Sequence, residues 1–516
     1  MSTPGDAARS AATSAPNAGP TGAITAAPTA APTAATAAPA APTAPTAAET
    51  VEAALGRLLG GTVTELRQLS GGASRITSSF ELVGEDGTQR SLILQRDRGA
   101  GLSGPGRVRI AVALLRAAAE AGVAVPDVVA VGEGDAGAGA GHGVGHGLGP
   151  GWLVVERIEG ETIPRKILRD PEWSAARSVL TEQCAAALAG IHAIDPGGIE
   201  GLPHGDPLAD PLAYLDTLGE IRPALEFGAR WLQTNRPQPG PTVALHGDFR
   251  MGNLLVGPDG LRAVLDWELA HAGDPAEDLG WLCAPAWRFG GTGAVGGFGD
   301  IPALLDAYGA AGGEVIEPER LEWWIVYATV KWATICAMQA SSHLSGASRS
   351  VELAAIGRRV CESEWDLFVL LGLAPDGLDP AASDPAAAYP PAPDPPAPDP
   401  LAPFGRPTGA ELVEAVREYI EHDVMEQSEG RGRFQARIAR NVLSMVEREL
   451  RLGPALAHAH HDRLAALGFD GDRALATAIR SGACDGEWSS VGKALALSAR
   501  DQLLVANPTY LPAART

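Results

Sequence analysis

Apolar and polar positions alternate along the first folded part of the chain, and a helical period takes over further on. The period-two pattern predicts strands at 63–69, 76–83, 91–95, 123–131 and 152–157. Apolar positions three and four residues apart predict helices at 51–59 and 108–121. The GEDG sequence at 84–87 predicts a hairpin turn between the second and third strands. We therefore expect a small sheet accompanied by a helix.

From Glu182 onward the pattern is mostly helical, with two short apolar strands at 243–245 and 263–265. Two low-complexity stretches, rich in Ala and Pro, contain too few large apolar side chains to form a core. The predicted organisation is a disordered arm at 1–48, a first lobe at 49–158, a second lobe at 159–373, a linker at 374–407 and a helical region at 408–516. The expected fold class is α+β, with two lobes followed by a separate all-α domain.

The composition of the chain excludes several classes of function. A net charge of −22 and five cysteines without CxxC spacing argue against nucleic-acid binding, a disulfide framework and a zinc site. The apolar run at 321–340 contains Glu322, Lys331 and Gln339, so we predict no membrane span. The N-terminus lacks the pattern of a signal peptide, and the expected location is cytoplasmic.

The sequence HGDFRMGN at 246–253 carries the clearest chemical signal. Asp248 precedes Asn253 by five residues, and Asp266 ends an apolar strand thirteen residues further on. Phosphoryl transfer needs one carboxylate to orient an acceptor hydroxyl and oxygen ligands for Mg²⁺. The segment 246–266 supplies these groups at the spacing of a kinase catalytic loop.

The string from HGDFRMGNLLV to AVLDWELAHAGDPAEDLGW resembles the aminoglycoside phosphotransferase family, in particular the branch related to the kinase domain of acyl-CoA dehydrogenase fusions. The resemblance covers about residues 50 to 370 and implies a protein-kinase-like fold. It makes Asp248 the catalytic base, His246 a support of the loop, and Asn253 and Asp266 the ligands of Mg²⁺, with ATP or GTP as the phosphate donor. It also implies a structural GDPxxDL element around Asp274 and Asp278.

The resemblance further implies a nucleotide-binding first lobe. Its glycine-rich loop would be Ser70, Gly71, Gly72, Ala73 and Ser74, and backbone groups of Glu156 and Ile158 would hold the adenine edge. The usual strand-3 cation is absent, because the first lysine of the chain is Lys166 and the aligned position is Gln95, beside Arg96. Its helical Glu partner is also absent, since Ala111 occupies that position. Arg96, Arg107 or Arg109 could supply the charge.

Two functional hypotheses follow from these residues. The first is a small-molecule kinase that phosphorylates a hydroxyl on a hydroxyacyl-CoA-like metabolite or an aminoglycoside-like compound. The second is a catalytically weak nucleotide-binding scaffold that signals through 408–516, a segment that could also mediate self-association or bind a protein partner. The intact segment 246–266 favours the first, and Gln95 together with Ala111 motivates the second.

Overall fold

The computed structural model describes residues 50–69, 75–97, 106–133, 148–149, 151–217, 220–375 and 408–511. The predicted arm at 1–48, the glycine-rich loop at 70–74 and nearly all of the predicted linker lie outside these ranges. None of the helices in the described ranges is long and apolar enough to span a membrane. All five cysteines are buried free thiols.

The first lobe is a five-stranded sheet with a helix on each face. Its elements are α1 (Val51–Leu59), β1 (Gly61–Gln68), β2 (Arg75–Gly84), β3 (Gln89–Asp97), α2 (Arg107–Glu120), β4 (Val128–Glu133) and β5 (Gly151–Glu156), and the strand order is β1-β2-β3-β5-β4. Each pair of neighbouring strands is antiparallel. Leu92, Leu94 and Val154 pack with α1, whereas Leu153 and Val155 belong to the core that includes α2. Alternate positions along a strand therefore face different helices.

The second lobe is mostly helical and contains two small two-stranded sheets. Its helices are α3 (Pro164–Arg169), α4 (Ser174–His192), α5 (Ala209–Thr217), α6 (Pro223–Thr234), α7 (Ala276–Cys283), α8 (Ile301–Ala310), α9 (Pro318–Leu344), α10 (Val351–Gly357) and α11 (Val360–Leu370). Its strands are β6 (Val243–Leu245), β7 (Leu254–Gly257), β8 (Gly260–Val264) and β9 (His271–Gly273). Strand β6 pairs with β9, and β7 pairs with β8. The segment 246–266 lies between the paired strands β6 and β9 and contains the β7–β8 hairpin.

An all-α region follows, as the sequence predicts. It consists of α12 (Gly409–Tyr419), α13 (Gly430–Ala466), α14 (Asp472–Ser481) and α15 (Trp488–Ala506). Helices α14 and α15 pack on α6, α15 also packs on α11, and the ring of Trp488 stacks on Phe227 at a centroid distance of 3.6 Å. Arg480 pairs with Glu226, and the Tyr510 hydroxyl donates to Asp366 at 2.6 Å. The C-terminal helices thus share a hydrophobic core with the lobe that precedes them.

Candidate active site

The loop between β6 and β7 is anchored by one buried carboxylate. The backbone N–H groups of His246 and Gly247 donate to the two carboxylate oxygens of Asp278, at 2.8 and 2.9 Å. Gly247 has φ +79, and a Cβ there would collide with the carbonyl oxygen of Leu269. Only glycine fits this position without strain. The GDPxxDL element therefore serves the loop directly through Asp278.

Asp278 stays ionised inside the core. Burial alone would raise its pKa, but hydrogen bonds and the charges of neighbouring groups, chiefly His192, bring the pKa down to about 2. The imidazole of His192 lies 3.3 Å from Asp278 and contacts the Tyr308 hydroxyl at 2.7 Å through its other nitrogen. The second acid of the element, Asp274, caps α7 at Ala276 and pairs with Arg320. Both predicted structural acids thus have structural partners.

His246 is a buried link between the loop that joins β6 to β7 and the end of strand β8. Its Nε2 contacts the carbonyl oxygen of Leu265 at 3.0 Å, and its Nδ1 accepts the Asp248 N–H at 3.2 Å. A carbonyl can only accept, so the ring carries its proton on Nε2. Burial lowers the pKa of His246, which favours this neutral form. The predicted role of His246 as a support of the loop is consistent with these contacts.

Three donors fix the carboxylate of Asp248. Oδ1 accepts from Nε of Arg250 and from the indole N–H of Trp281, both at 2.8 Å. Oδ2 accepts from the side-chain amide of Asn253 at 2.6 Å, and the same amide nitrogen donates to the Asp248 carbonyl at 3.0 Å. The carboxylate is 7% exposed. The loop thus presents one oriented carboxylate that is nearly closed to solvent.

Asp266 follows β8 in a left-handed backbone conformation, with φ +66. A non-glycine residue in this region carries strain, which active sites commonly retain. Burial raises the pKa of Asp266 to about 7, repulsion from Glu268 and Asp248 adds to the rise, and Arg75 and Arg250 oppose it. A cation bound at Asp266 would therefore stabilise the ionised carboxylate against burial and against repulsion from Glu268 and Asp248.

Asn253 and Asp266 fit a magnesium site in which the nucleotide supplies the remaining ligands. Asn253 uses its amide nitrogen on Asp248, which leaves the amide oxygen as its ligand atom. Amide and carboxylate oxygens suit Mg²⁺, which often takes one or two protein ligands together with substrate phosphates. Within the described ranges no group of three or more His, Cys, Asp or Glu side chains forms a metal cluster. A site shared with phosphate oxygens needs no such cluster.

A cavity of about 380 Å³ lies between the sheet, α2 and the catalytic loop. Asn253 and Asp266 line one part of it, and the predicted nucleotide residues Gln95, Glu156 and Ile158 also line it. Arg96 is absent from the lining, because the alternation of β3 turns it to the opposite face from Gln95. The remaining predicted residues, Ser70, Gly71, Gly72, Ala73 and Ser74, lie outside the described residues.

Three residues of the site are missing from the sequence prediction. Arg250 and Trp281 bind the carboxylate of Asp248, and Arg75 on β2 lines the cavity beside Gln95. Arg250 lies inside the HGDFRMGN motif, and this position is the sequence signal that identifies it. Trp281 could be recognised only through the fold, since it comes from α7. The alternatives Arg107 and Arg109 start α2, where Arg107 donates to the Glu268 carbonyl at 3.2 Å.

Two family models match the chain. Residues 65–324, about half of the chain, match the model described as the phosphotransferase enzyme family. Residues 426–510 match a domain of unknown function (DUF6285). The fold and the loop define a kinase-like phosphotransferase architecture, and the chain belongs to the phosphotransferase enzyme family.

Relatives with similar sequences include two acyl-CoA dehydrogenase family members. Member 10 of Mus musculus is 43% identical over 63 residues, which cover 12% of this chain and 6% of the relative. Member 11 of Gallus gallus is 31% identical over 153 residues, which cover 26% of this chain and 18% of the relative. The chain thus matches less than a fifth of the length of either relative.

Solved structures with a similar fold include a putative aminoglycoside phosphotransferase from Ralstonia eutropha, with 20% identity and a TM-score of 0.47 over 62% of this chain and 96% of that chain. A macrolide 2'-phosphotransferase from Brachybacterium faecium has 22% identity and a TM-score of 0.40, over 60% and 95% of the two chains.

Proposed function

We propose that the chain transfers the γ-phosphoryl group of ATP or GTP to a hydroxyl of a small molecule, with Asp248 as the catalytic base. The observation that carries the proposal is the carboxylate of Asp248, which three donors fix beside Asn253 at the edge of a cavity lined by Asp266. Membership of the phosphotransferase enzyme family supports the reaction class.

The arrangement suits the orientation of an acceptor hydroxyl. Oδ1 of Asp248 is held by Arg250 and Trp281, and Oδ2 by Asn253, so the carboxylate cannot rotate away from an incoming hydroxyl without losing hydrogen bonds. A remaining lone pair of the carboxylate accepts the hydroxyl proton as the oxygen approaches the phosphorus. Mg²⁺ bound by Asn253 and Asp266 would neutralise charge on the phosphate oxygens.

The acceptor class follows from the relatives only as a hypothesis. The names of the relatives refer to acyl-CoA dehydrogenases, and those of the structural neighbours refer to aminoglycosides and macrolides. A panel of hydroxyacyl-CoA thioesters and hydroxylated antibiotics covers both possibilities. Since the helical parts of such lobes vary while the phosphate-transfer residues remain, the fold does not select among these acceptors.

The test is nucleotide turnover with Mg²⁺ and the acceptor panel, with the products identified by mass spectrometry. Asp248→Asn keeps the shape of the side chain and removes the base, so kcat should fall about 100-fold or more while the nucleotide still binds. Asp259→Asn is the matched control, because Asp259 lies exposed in the β7–β8 turn of the same segment. Turnover that is equal in Asp248→Asn and wild type would refute the assignment of the base.

A second candidate function is a nucleotide-binding scaffold with little turnover. It is favoured by the neutral Gln95 and the small Ala111, which line the cavity where a cation and its acidic partner are usual. This candidate predicts binding of the magnesium nucleotide without product for any acceptor on the panel. Product formation that depends on Asp248 excludes it.

A further inference from the structure

The missing strand-3 lysine leaves open which group of this chain contacts the phosphates of the nucleotide. The first lysine of the sequence is Lys166, beyond the first lobe. Gln95 lines the cavity but carries no charge, and Arg96 faces the other side of the sheet. Two arginines line the cavity, Arg75 on β2 and Arg157 directly after β5. Arg157 pairs with Glu81 and Glu159 and lies in the segment predicted to hold the adenine edge. Arg75 is therefore the candidate for the phosphates.

The register of the sheet explains why Arg75 reaches the cavity. In the antiparallel pair of β2 and β3, Arg75 is opposite Asp97 and Thr77 is opposite Gln95. Opposed residues share a face, and so do residues two apart on one strand. Arg75 and Gln95 therefore lie on the face that α2 and the catalytic loop cover, the face on which Asp266 also borders the cavity.

The guanidinium of Arg75 is buried and held in position. It is 6% exposed, Nε lies 3.4 Å from Oδ1 of Asp97, and Nη1 donates to Oε1 of Gln95 at 3.3 Å. Buried cations of this kind are normally paired. Within the ranges that the structure covers, these contacts engage Nε and Nη1, and none engages Nη2. The N–H donors of Nη2 thus stay available for an anion in the cavity.

We propose that Arg75 is the phosphate-binding cation of this chain, with Asp97 and Gln95 as the residues that position it. In this proposal the cation lies on strand 2 instead of the usual strand 3, and its acidic partner lies at the end of strand 3 instead of on the helix. The guanidinium binds nonbridging phosphate oxygens of the nucleotide through charge-assisted hydrogen bonds. This inference rests on the proposed nucleotide site and adds to it the group that holds the phosphates.

The test compares a ligand that has phosphates with one that has none. Calorimetry of the full chain with MgADP and with adenosine measures both affinities. In Arg75→Met the affinity for MgADP should fall about 10- to 100-fold, the usual effect of a lost charged hydrogen bond, while that for adenosine stays within twofold. Arg96→Met removes the neighbouring cation on the opposite face and should change neither affinity.

Arg75→Met alone leaves Asp97 buried without its cation, which can destabilise the lobe. The double variant Arg75→Met with Asp97→Asn removes both charges and should show the same selective loss of MgADP. Adding Gln95→Lys to that variant places a cation on the same face of the sheet and should restore at least part of the affinity.

Three results would overturn the proposal: unchanged MgADP binding in the Arg75 variants, an equal loss of adenosine binding, or no binding of either ligand by the wild type. The outcome for the proposed function is separate. If MgADP binding depends on Arg75 but no acceptor is phosphorylated, phosphoryl transfer fails and the assignment of Arg75 stands.

Discussion

The indole N–H of Trp281 offers a direct test of how the catalytic loop works. Trp281→Phe removes one donor to Oδ1 of Asp248, at 2.8 Å, and keeps an aromatic ring in a site that is 2% exposed. A hydrogen bond to a charged acceptor contributes about 1.5 to 3 kcal/mol. If that contribution holds the carboxylate in its reactive orientation, kcat should fall about 10- to 150-fold. Trp281 touches Asp248 but not the reacting atoms, so it acts as a positioning residue.

The chain offers a closely matched control for this substitution. Trp323 is also 2% exposed, and its indole N–H donates at 3.0 Å to the Leu232 carbonyl, a neutral acceptor away from the loop. Trp323→Phe should therefore cost about 0.5 to 1.5 kcal/mol of stability and leave kcat unchanged. The assay is steady-state turnover of both variants beside their urea unfolding curves. A kcat for Trp281→Phe within twofold of wild type, or an equal kcat loss in the control, refutes the positioning role.

Two further substitutions test the buried acids. Asp278→Asn replaces one of the two oxygens that accept the loop N–H groups by an amide donor. The free energy of unfolding, measured in urea, should fall by about 2 to 4 kcal/mol. A change of less than about 1 kcal/mol would contradict the anchoring role of Asp278. Burial raises the pKa of Asp366 from 3.8 to about 7, so the folded state binds a proton on this carboxyl more tightly than the unfolded state does. This proton binding stabilises the fold fully below about pH 4, and the stabilisation is lost as the pH rises to 7. Relative to Asp366→Asn, the wild type should lose up to about 4 kcal/mol between pH 4 and 8, and parallel stability profiles would rule this out.

The sequence predicts the elements of the first lobe well because their patterns are local. Helix α1 begins and ends where the periodicity places it, and the strands of the first hairpin agree within about two residues. Strand β4 begins at Val128 rather than at 123, because the N–H of Val123 bonds to the Ala118 carbonyl and ends α2 there. The sequence predicts a mostly helical pattern from Glu182 onward, whereas α4 already begins at Ser174, because its polar first turns lack a clear apolar stripe.

The proximity of the proposed catalytic and metal-binding residues was predictable from their spacing, but the side chains that support them were not. Asp248, Asn253 and Asp266 lie within one short segment, so the single β7–β8 hairpin is enough to bring them together. Arg75 reaches the same region from β2, far away along the chain, and Trp281 reaches it from α7, which follows the segment. Their part in the site depends on strand register and on the direction of an indole ring. Neither property leaves a pattern in a single sequence.

A continuous series of contacts joins the catalytic loop to the C-terminal helices. Its members are side chains in ring, cation–π, ion-pair or hydrogen-bond contact, in the order Arg250, Trp287, Trp332, Arg359, Glu362 and Asn507. Arg250 lies over Trp287 at 4.5 Å and also binds Asp248, so the series ends on the carboxylate that we propose as the base. The region that matches a domain of unknown function packs on α6 and on α11, the helix that carries Glu362. Its removal would expose the apolar face of α11 and take Asn507 away from Glu362.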